Sequence, residues 1–147
     1  MKRSAVLLSA VAAIVLFTLG AAYGQKAASK KVVFVSADKA DFKEMPGGSG
    51  GVSRATVWGD PEKGAHGTLT KFKSGYEAGE HTHTNDITIV VIKGAYLYKD
   101  ADGEKRVGPG DFLKVPGGHK HSSGGDKSEG ALFYESSSAK FDLNPVK

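Results

Sequence analysis

The chain has 147 residues, 24% charged and 39% hydrophobic, a balance typical of one globular domain. Its formal net charge is +4, and removing Lys2 and Arg3 with the N-terminal segment leaves +2, too little to indicate nucleic-acid binding. Cysteine is absent, which excludes a disulfide framework, and twenty glycines indicate many tight turns.

The first 24 residues have the pattern of a secretory signal peptide. Lys2 and Arg3 form a basic start, residues 5–19 carry no charge, and small residues follow. Ala22-Tyr23-Gly24 fits the small-x-small cleavage rule, so the domain is expected to cover residues 25–147. This predicts a periplasmic or secreted protein that makes no membrane contact after cleavage. The alternative is an uncleaved membrane anchor, because the apolar run approaches the length that spans a bilayer.

Short β-strands separated by turn residues are predicted for the rest of the chain. They are expected at residues 31–35, 53–58, 66–73, 81–83, 87–92, 95–98, 105–107, 112–115, 131–135 and 139–143. Residues 46–51, 75–80 and 122–130 are glycine-rich or polar and are expected to be loops. Because no sustained helical period follows the N-terminal segment, an all-β sandwich or barrel is predicted, with residues 87–92 as its central buried strand.

Four of the five histidines lie in two short segments, residues 81–83 and 119–121. His81 and His83 are two residues apart, so on a strand both imidazoles point to the same face. A third imidazole from a distant strand would complete one side of a metal site. His119 and His121 share the same parity, and either could supply it. His66 stands alone and is expected to be a surface or hydrogen-bonded residue.

The spacing around these histidines resembles the two motifs of the cupin superfamily, whose members are small double-stranded β-helix, or jelly-roll, barrels. The first motif, G-x5-H-x-H-x3-E-x6-G, is matched by Gly75, His81, His83 and Gly94. The second, G-x5-P-x-G-x2-H-x3-N, is matched by Gly110, Pro116, Gly118 and His121. The motifs span residues 75–125, and the resemblance implies a cupin domain with His81, His83 and His121 as metal ligands.

The chain departs from the cupin motifs at two positions. Ile87 stands where the first motif has glutamate, and Gly125 where the second has asparagine. Three imidazoles without a carboxylate favour Zn, Fe, Cu or Ni over Mn. Asp86, one residue before the glutamate position, would join the site only through a bulge. Glu80 is expected to be solvated, and the alternative is that it orients a ligand imidazole.

Residues 58–64 and 81–86 are similar to a group of exported bacterial cupins of undefined function, a likeness that implies no reaction. One hypothesis is a metal-dependent oxygenase or isomerase, with Glu80 or Tyr96 as a base. The alternative is a degenerate cupin, a non-catalytic module that captures a small ligand or a metal.

Both hypotheses place a small-molecule ligand in the barrel mouth. The candidate walls of this pocket are the aromatic residues Trp58, Tyr96, Tyr98, Phe112 and Phe133, although core packing is the role expected first for each of them. The glycine-rich residues 46–51 are expected to be a connector, or a lid over the pocket. A homodimer is a further expectation, through exchange of the strand at residues 31–35.

Overall fold

The computed structural model describes residues 31–147, so the expected signal peptide and residues 25–30 lie outside the described part. This part is all-β, and within it no helix has the length and apolar character to cross a membrane. Its strands are β1 (Lys43–Glu44), β2 (Val52–Gly59), β3 (His66–Phe72), β4 (Glu77–Thr82), β5 (Ile87–Gly94), β6 (Tyr96–Asp100), β7 (Gly103–Val107), β8 (Phe112–Val115), β9 (His121–Gly125), β10 (Ala131–Ser137) and β11 (Asn144–Pro145).

The strands form two antiparallel sheets. The six-stranded sheet has the order β1-β2-β3-β10-β5-β8, and the five-stranded sheet has the order β11-β4-β9-β6-β7. Most neighbours in the sheets are not neighbours in sequence, as expected when a jelly roll passes the chain repeatedly between its sheets. The all-β prediction is confirmed.

The hydrophobic core lies on the inner face of the six-stranded sheet and contacts the aromatic residues of β6. Ile87, Ile89 and Val91 alternate along β5 with less buried residues, the period of two that makes one face of a strand apolar. Phe133 of β10 is fully buried, and its ring packs edge-on against Tyr96 of β6 with centroids 5.0 Å apart. Burying each large apolar side chain stabilises the fold by roughly 1.5–3 kcal/mol.

The predicted strand at residues 31–35 is wrong. Val32 and Phe34 are 96% and 87% exposed, and the segment has no strand pairing. The edge of the six-stranded sheet beside β2 is taken by β1 instead, so this β-branched run finds no ladder partner. Exchange of this segment with a neighbouring chain, and the homodimer itself, stay predictions.

The predicted loop at residues 122–130 is wrong over its first part, because β9 runs to Gly125 between β4 and β6. Glycine suits this place, since a Cβ at Gly124 would lie 2.6 Å from the carbonyl oxygen of Tyr76. The expected loop at residues 75–80 is likewise shorter, because β4 begins at Glu77.

The predicted strand at residues 139–143 is also absent. This segment runs irregularly between β10 and β11, and the backbone nitrogen of Phe141 donates a hydrogen bond to the carbonyl of Pro61 at 2.8 Å. The backbone carbonyls of Ala139 and Asp142 in this segment point to histidine side chains rather than to a neighbouring strand.

Candidate metal centre

Three buried imidazoles converge on the inner face of the five-stranded sheet. His81 of β4 and His121 of β9 are cross-strand partners, which brings their rings to a centroid distance of 4.3 Å. His83 follows the end of β4 and, two residues from His81, points to the same side. One ring nitrogen of each residue lies within 4.8 Å of those of the other two. The structure thus brings together the three predicted ligands, and the cluster could hold a metal ion.

The Nδ1 atom of each imidazole faces a backbone carbonyl. The pairs are His81 with Gly79 at 2.7 Å, His121 with His119 at 3.0 Å, and His83 with Asp142 at 2.5 Å. Because a carbonyl oxygen only accepts, Nδ1 carries the proton and Nε2 keeps its lone pair. The Nε2 atom of His121 is buried and has no hydrogen-bond partner. This tautomer is the one in which a histidine binds metal through Nε2, so the residues present fit a metal ion.

Burial favours the neutral form of the imidazoles. Removal from water lowers the pKa of His121 to about 4, and it also lowers the pKa of His81. The carbonyl acceptors oppose this shift, but they do not overcome it. At neutral pH both rings are therefore uncharged and can act as ligands without first losing a proton.

No carboxylate of the described residues joins the three histidines. Ile87, at the glutamate position of the motif, is only 3% exposed and lines the same cavity as His81. Asp86 is exposed and turned away, because its carboxylate lies 2.8 Å from Lys114 Nζ and accepts a hydrogen bond from the nitrogen of Gly117 at 2.9 Å. These contacts hold Asp86 at the surface and lower its pKa. Asp86 therefore does not replace the missing glutamate.

His119 lies behind the cluster. Its Nε2 is 3.0 Å from Asp100 Oδ2, which also accepts a hydrogen bond from the hydroxyl of Tyr98 at 2.8 Å. These two contacts lower the pKa of Asp100 to about 2. The ring of Tyr98 stacks on His121, with centroids 5.4 Å apart. Of the two histidines of this segment, His121 joins the cluster and His119 supports it.

His66 is hydrogen-bonded, as expected, but it is fully buried. Its Nδ1 lies 2.9 Å from the carbonyl oxygens of Gly64 and Ala139, and its buried Nε2 has no partner. Glu80 is exposed, as expected of a solvated residue, and it does not take the alternative role of orienting His81, because the Nδ1 of His81 faces the Gly79 carbonyl.

A cavity of about 340 Å³ adjoins the histidine cluster, and His81, His83 and Ile87 line it. Of the expected wall residues only Tyr96 lines this cavity; Tyr98 and Phe133 pack in the core, and Trp58 and Phe112 are exposed. Burial raises the pKa of the Tyr96 hydroxyl far above its usual range, which makes this residue unsuitable as a base near neutral pH.

The loop at residues 46–51 contributes Pro46, Gly47 and Gly48 to the cavity wall. It is therefore more than a connector between β1 and β2.

Two charged residues that the sequence did not single out, Arg54 and Glu135, also line the cavity. Arg54 Nη2 lies 3.4 Å from Glu135 Oε1, and the two side chains are only 9% and 7% exposed. A signal for Glu135 was present, since it follows buried Phe133 by two residues on a predicted strand. For Arg54 the only comparable signal is its spacing of two from the apolar Val52.

Comparisons with known proteins were made by family, by sequence and by structure. A family model described as a domain of unknown function (DUF4437) matches residues 32–147. No curated protein matches the chain. Solved structures do match, over most of the described residues.

KdgF from Halomonas sp. is 22% identical, with a TM-score of 0.57 over 71% of this chain and 94% of that one. The polyketide cyclase RemF from Streptomyces resistomycificus is 16% identical, with a TM-score of 0.66 over 80% and 87% of the two chains. An RmlC-like cupin from Shewanella frigidimarina is 21% identical, with a TM-score of 0.57 over 72% and 90%.

Such identities show a shared fold and leave the reaction open. The likeness to an RmlC-like cupin agrees with the two antiparallel sheets, so the predicted cupin jelly roll is confirmed. The chain belongs to the DUF4437 family, a domain family of unknown function, and it has a cupin-like fold.

Proposed function

We propose that this protein binds a divalent metal ion through His81, His83 and His121 and takes a small organic molecule in the cavity beside them. The observation that carries this proposal is the common orientation of the three rings, each with Nδ1 directed to a backbone carbonyl. A histidine cluster that served packing alone would have no need of three ring nitrogens, one from each residue, within 4.8 Å of one another. The buried Nε2 of His121, which has no partner, supports the same reading.

The donor set favours Zn, Fe, Cu or Ni over Mn. Three neutral imidazoles supply no negative charge, and Ile87 places an apolar side chain where a carboxylate ligand would stand. Coordination positions toward the cavity would be left for water or for an atom of the ligand.

The stronger functional candidate is a metal-dependent enzyme of the oxygenase or isomerase kind. When bound, the metal would act as a Lewis acid on a ligand in the cavity. Of the residues lining the cavity, Glu135 is the one carboxylate, and it is the residue placed to accept a proton there. Similar folds include a protein described as a polyketide cyclase, so this scaffold supports enzymes.

The second candidate is a non-catalytic binding module. It is favoured by the position of Glu135, which is held by Arg54 and is not free to act alone. It is also favoured by the absence of a carboxylate from the histidine cluster.

Turnover separates the two candidates. The experiment measures oxygen uptake, and product formation by NMR, for Fe(II)-loaded protein with a panel of thiols, diketones and phenols. Turnover that His81→Ala abolishes would support the enzyme. Tight binding of a panel member without turnover would support the module.

We also propose that the protein is exported and that it forms a homodimer. We expect a mature chain that starts near Gln25, in the periplasm or outside the cell, and the mass of the protein recovered from its native host checks this. A homodimer is expected as well, and a monomeric mass by light scattering at high concentration would contradict it.

A further inference from the structure

The guanidinium of Arg54 is buried in the wall of the cavity with only part of its hydrogen-bonding capacity used. Its Nη2 donates to Glu135 across a long 3.4 Å, and its buried Nε has no hydrogen-bond partner. A guanidinium has five N–H donors in a rigid plane that matches a carboxylate. A buried donor without a partner is unfavourable, and a bound acceptor would relieve this cost.

The direction of Arg54 is set by the sheet. Arg54 of β2 is the cross-strand partner of Thr70 in β3, and Thr70 lines the cavity. Cross-strand partners share a face, so Arg54 also points inward. The ring of Phe141 lies over the guanidinium at 3.9 Å from Cζ to the centroid, which fixes the plane of the group.

The ion pair with Glu135 does not by itself account for this arrangement. A buried ion pair contributes little net stability, because desolvation of both charges offsets their attraction. Burial lowers the pKa of Arg54, while Glu135 opposes that shift, so the guanidinium keeps its charge inside the cavity.

With a metal ion bound at the histidines, the charges around the cavity favour an anion. Apart from the histidines, Arg54 and Glu135 are its ionisable groups of opposite sign, and they balance each other. A divalent ion held by neutral imidazoles would add two positive charges with no carboxylate ligand to offset them. A monoanion would then be attracted from two sides.

The remaining walls favour an organic body. The apolar and aromatic side chains that face the cavity include Val52, Phe72, Tyr76, Ile87, Phe141 and Leu143. A cavity of about 340 Å³ lies within the size range of small-molecule sites.

We infer that the ligand of this cavity is a small organic carboxylate whose charge is met by Arg54 and whose apolar part packs against Phe72, Ile87 and Phe141. Glu135 holds the guanidinium in place and competes with the ligand for it. The inference rests on the proposed function in that it gives the ligand class for the same cavity, but contact with Arg54 does not require the metal.

The experiment compares acids with their neutral amides, which have nearly the same shape. Binding of phenylacetate and phenylacetamide, and of benzoate and benzamide, is measured by calorimetry on Zn-loaded and on metal-free protein. We expect each acid to bind at least about tenfold more tightly than its amide. The preference should persist, at lower affinity, without metal.

Three variants assign the preference to Arg54. In Arg54→Gln the ratio of acid to amide affinity should fall to within about threefold in metal-free protein. Glu135→Gln keeps the shape of the side chain and removes the competing charge, so acids should bind several-fold more tightly while amides are unchanged. Arg54→Gln with Glu135→Gln removes both buried charges together, which protects the fold if the first variant is unstable.

The results separate this inference from the metal site. Zinc affinity is measured in the same samples, and Arg54→Gln should leave it within about threefold, because Arg54 is not a ligand. Failure to bind Zn, Fe, Cu and Ni alike would overturn the proposed function, and the metal-free comparison would still test the inference. The inference is overturned if amides bind as tightly as acids, if no acid binds at millimolar concentration, or if the preference survives in the folded double variant without metal.

Discussion

The imidazole of His83 donates a hydrogen bond from Nδ1 to the backbone carbonyl of Asp142, 59 residues further along the chain. The carboxylate of Asp142 accepts a second hydrogen bond, from the backbone nitrogen of Thr84 at 2.8 Å. The C-terminal segment therefore fixes the end of β4, where two of the three candidate ligands lie. Between β10 and β11, residues 138–143 form no strand, and their carbonyls can serve side chains.

Removing that carbonyl should weaken the metal site. A chain that ends after Lys140 loses Asp142, and its zinc affinity should fall by about 10–100-fold, because partners of ligand imidazoles set their tautomer and orientation. A chain that ends after Leu143 is the matched control: it loses β11 but keeps the carbonyl. Equal zinc affinities of the two chains by calorimetry would show that the contact is irrelevant to binding.

Substitutions at His119 and at His121 should differ sharply in their effect on zinc affinity. His121→Gln should lower zinc affinity by at least about 100-fold, whereas His119→Gln should leave it within about threefold. The reason is that His119 supplies its backbone carbonyl to the cluster, and its side chain binds Asp100 instead. A large loss of zinc binding in His119→Gln alone would reverse this assignment.

Replacing Ile87 by glutamate should change the metal preference. Ile87→Glu places a carboxylate in the cavity beside the histidines, so affinity for Mn²⁺ should rise by about tenfold or more. Metal-free Ile87→Glu should unfold at a lower temperature, because a buried carboxylate without a partner is costly. Ile87→Gln controls for side-chain size. If Mn²⁺ affinity is the same in both variants, position 87 does not reach the metal.

The metal-free protein should lose stability in mild acid. The pKa of His121 is about 4 in the folded chain against an ordinary value of 6.5, so between these values the unfolded chain binds the proton and the folded chain does not. Stability is thus fully present above pH 6.5 and is lost as the pH falls toward 4, by on the order of 3 kcal/mol.

Urea unfolding of chelator-treated protein at a series of pH values measures this loss. In His121→Asn, the part of the pH dependence of stability that comes from protonation of His121 should be lost. An identical dependence in wild type and variant would contradict the assignment to His121.

The part of the site that could be predicted from the sequence consists of residues that lie close together in the chain, where strand parity or motif spacing relates one residue to the next. Strand parity places His81 and His83 on one face, and the motif spacing selects His121 from the pair that includes His119. Arg54 and Glu135 follow no such rule, since 81 residues separate them and they meet only because β3 lies between β2 and β10.

The fold was predicted where apolar residues alternate, as along β5. The prediction of strands failed where pairing with a neighbouring strand, rather than local composition, decides whether a segment becomes a strand. Val32 and Phe34 favour a strand but find no open edge, whereas Ser122–Gly125 has the composition of a loop and becomes a strand because β4 and β6 flank it.

Metal content tests the central claim most directly. The purified protein, stripped with chelator and titrated separately with Zn²⁺, Cu²⁺, Ni²⁺ and Fe(II), should bind about one equivalent of at least one of these ions at micromolar concentration or below. His81→Ala, His83→Ala and His121→Ala should each abolish that binding while keeping the all-β circular dichroism spectrum. A folded wild-type protein that takes up none of the four ions at micromolar concentration would contradict the account.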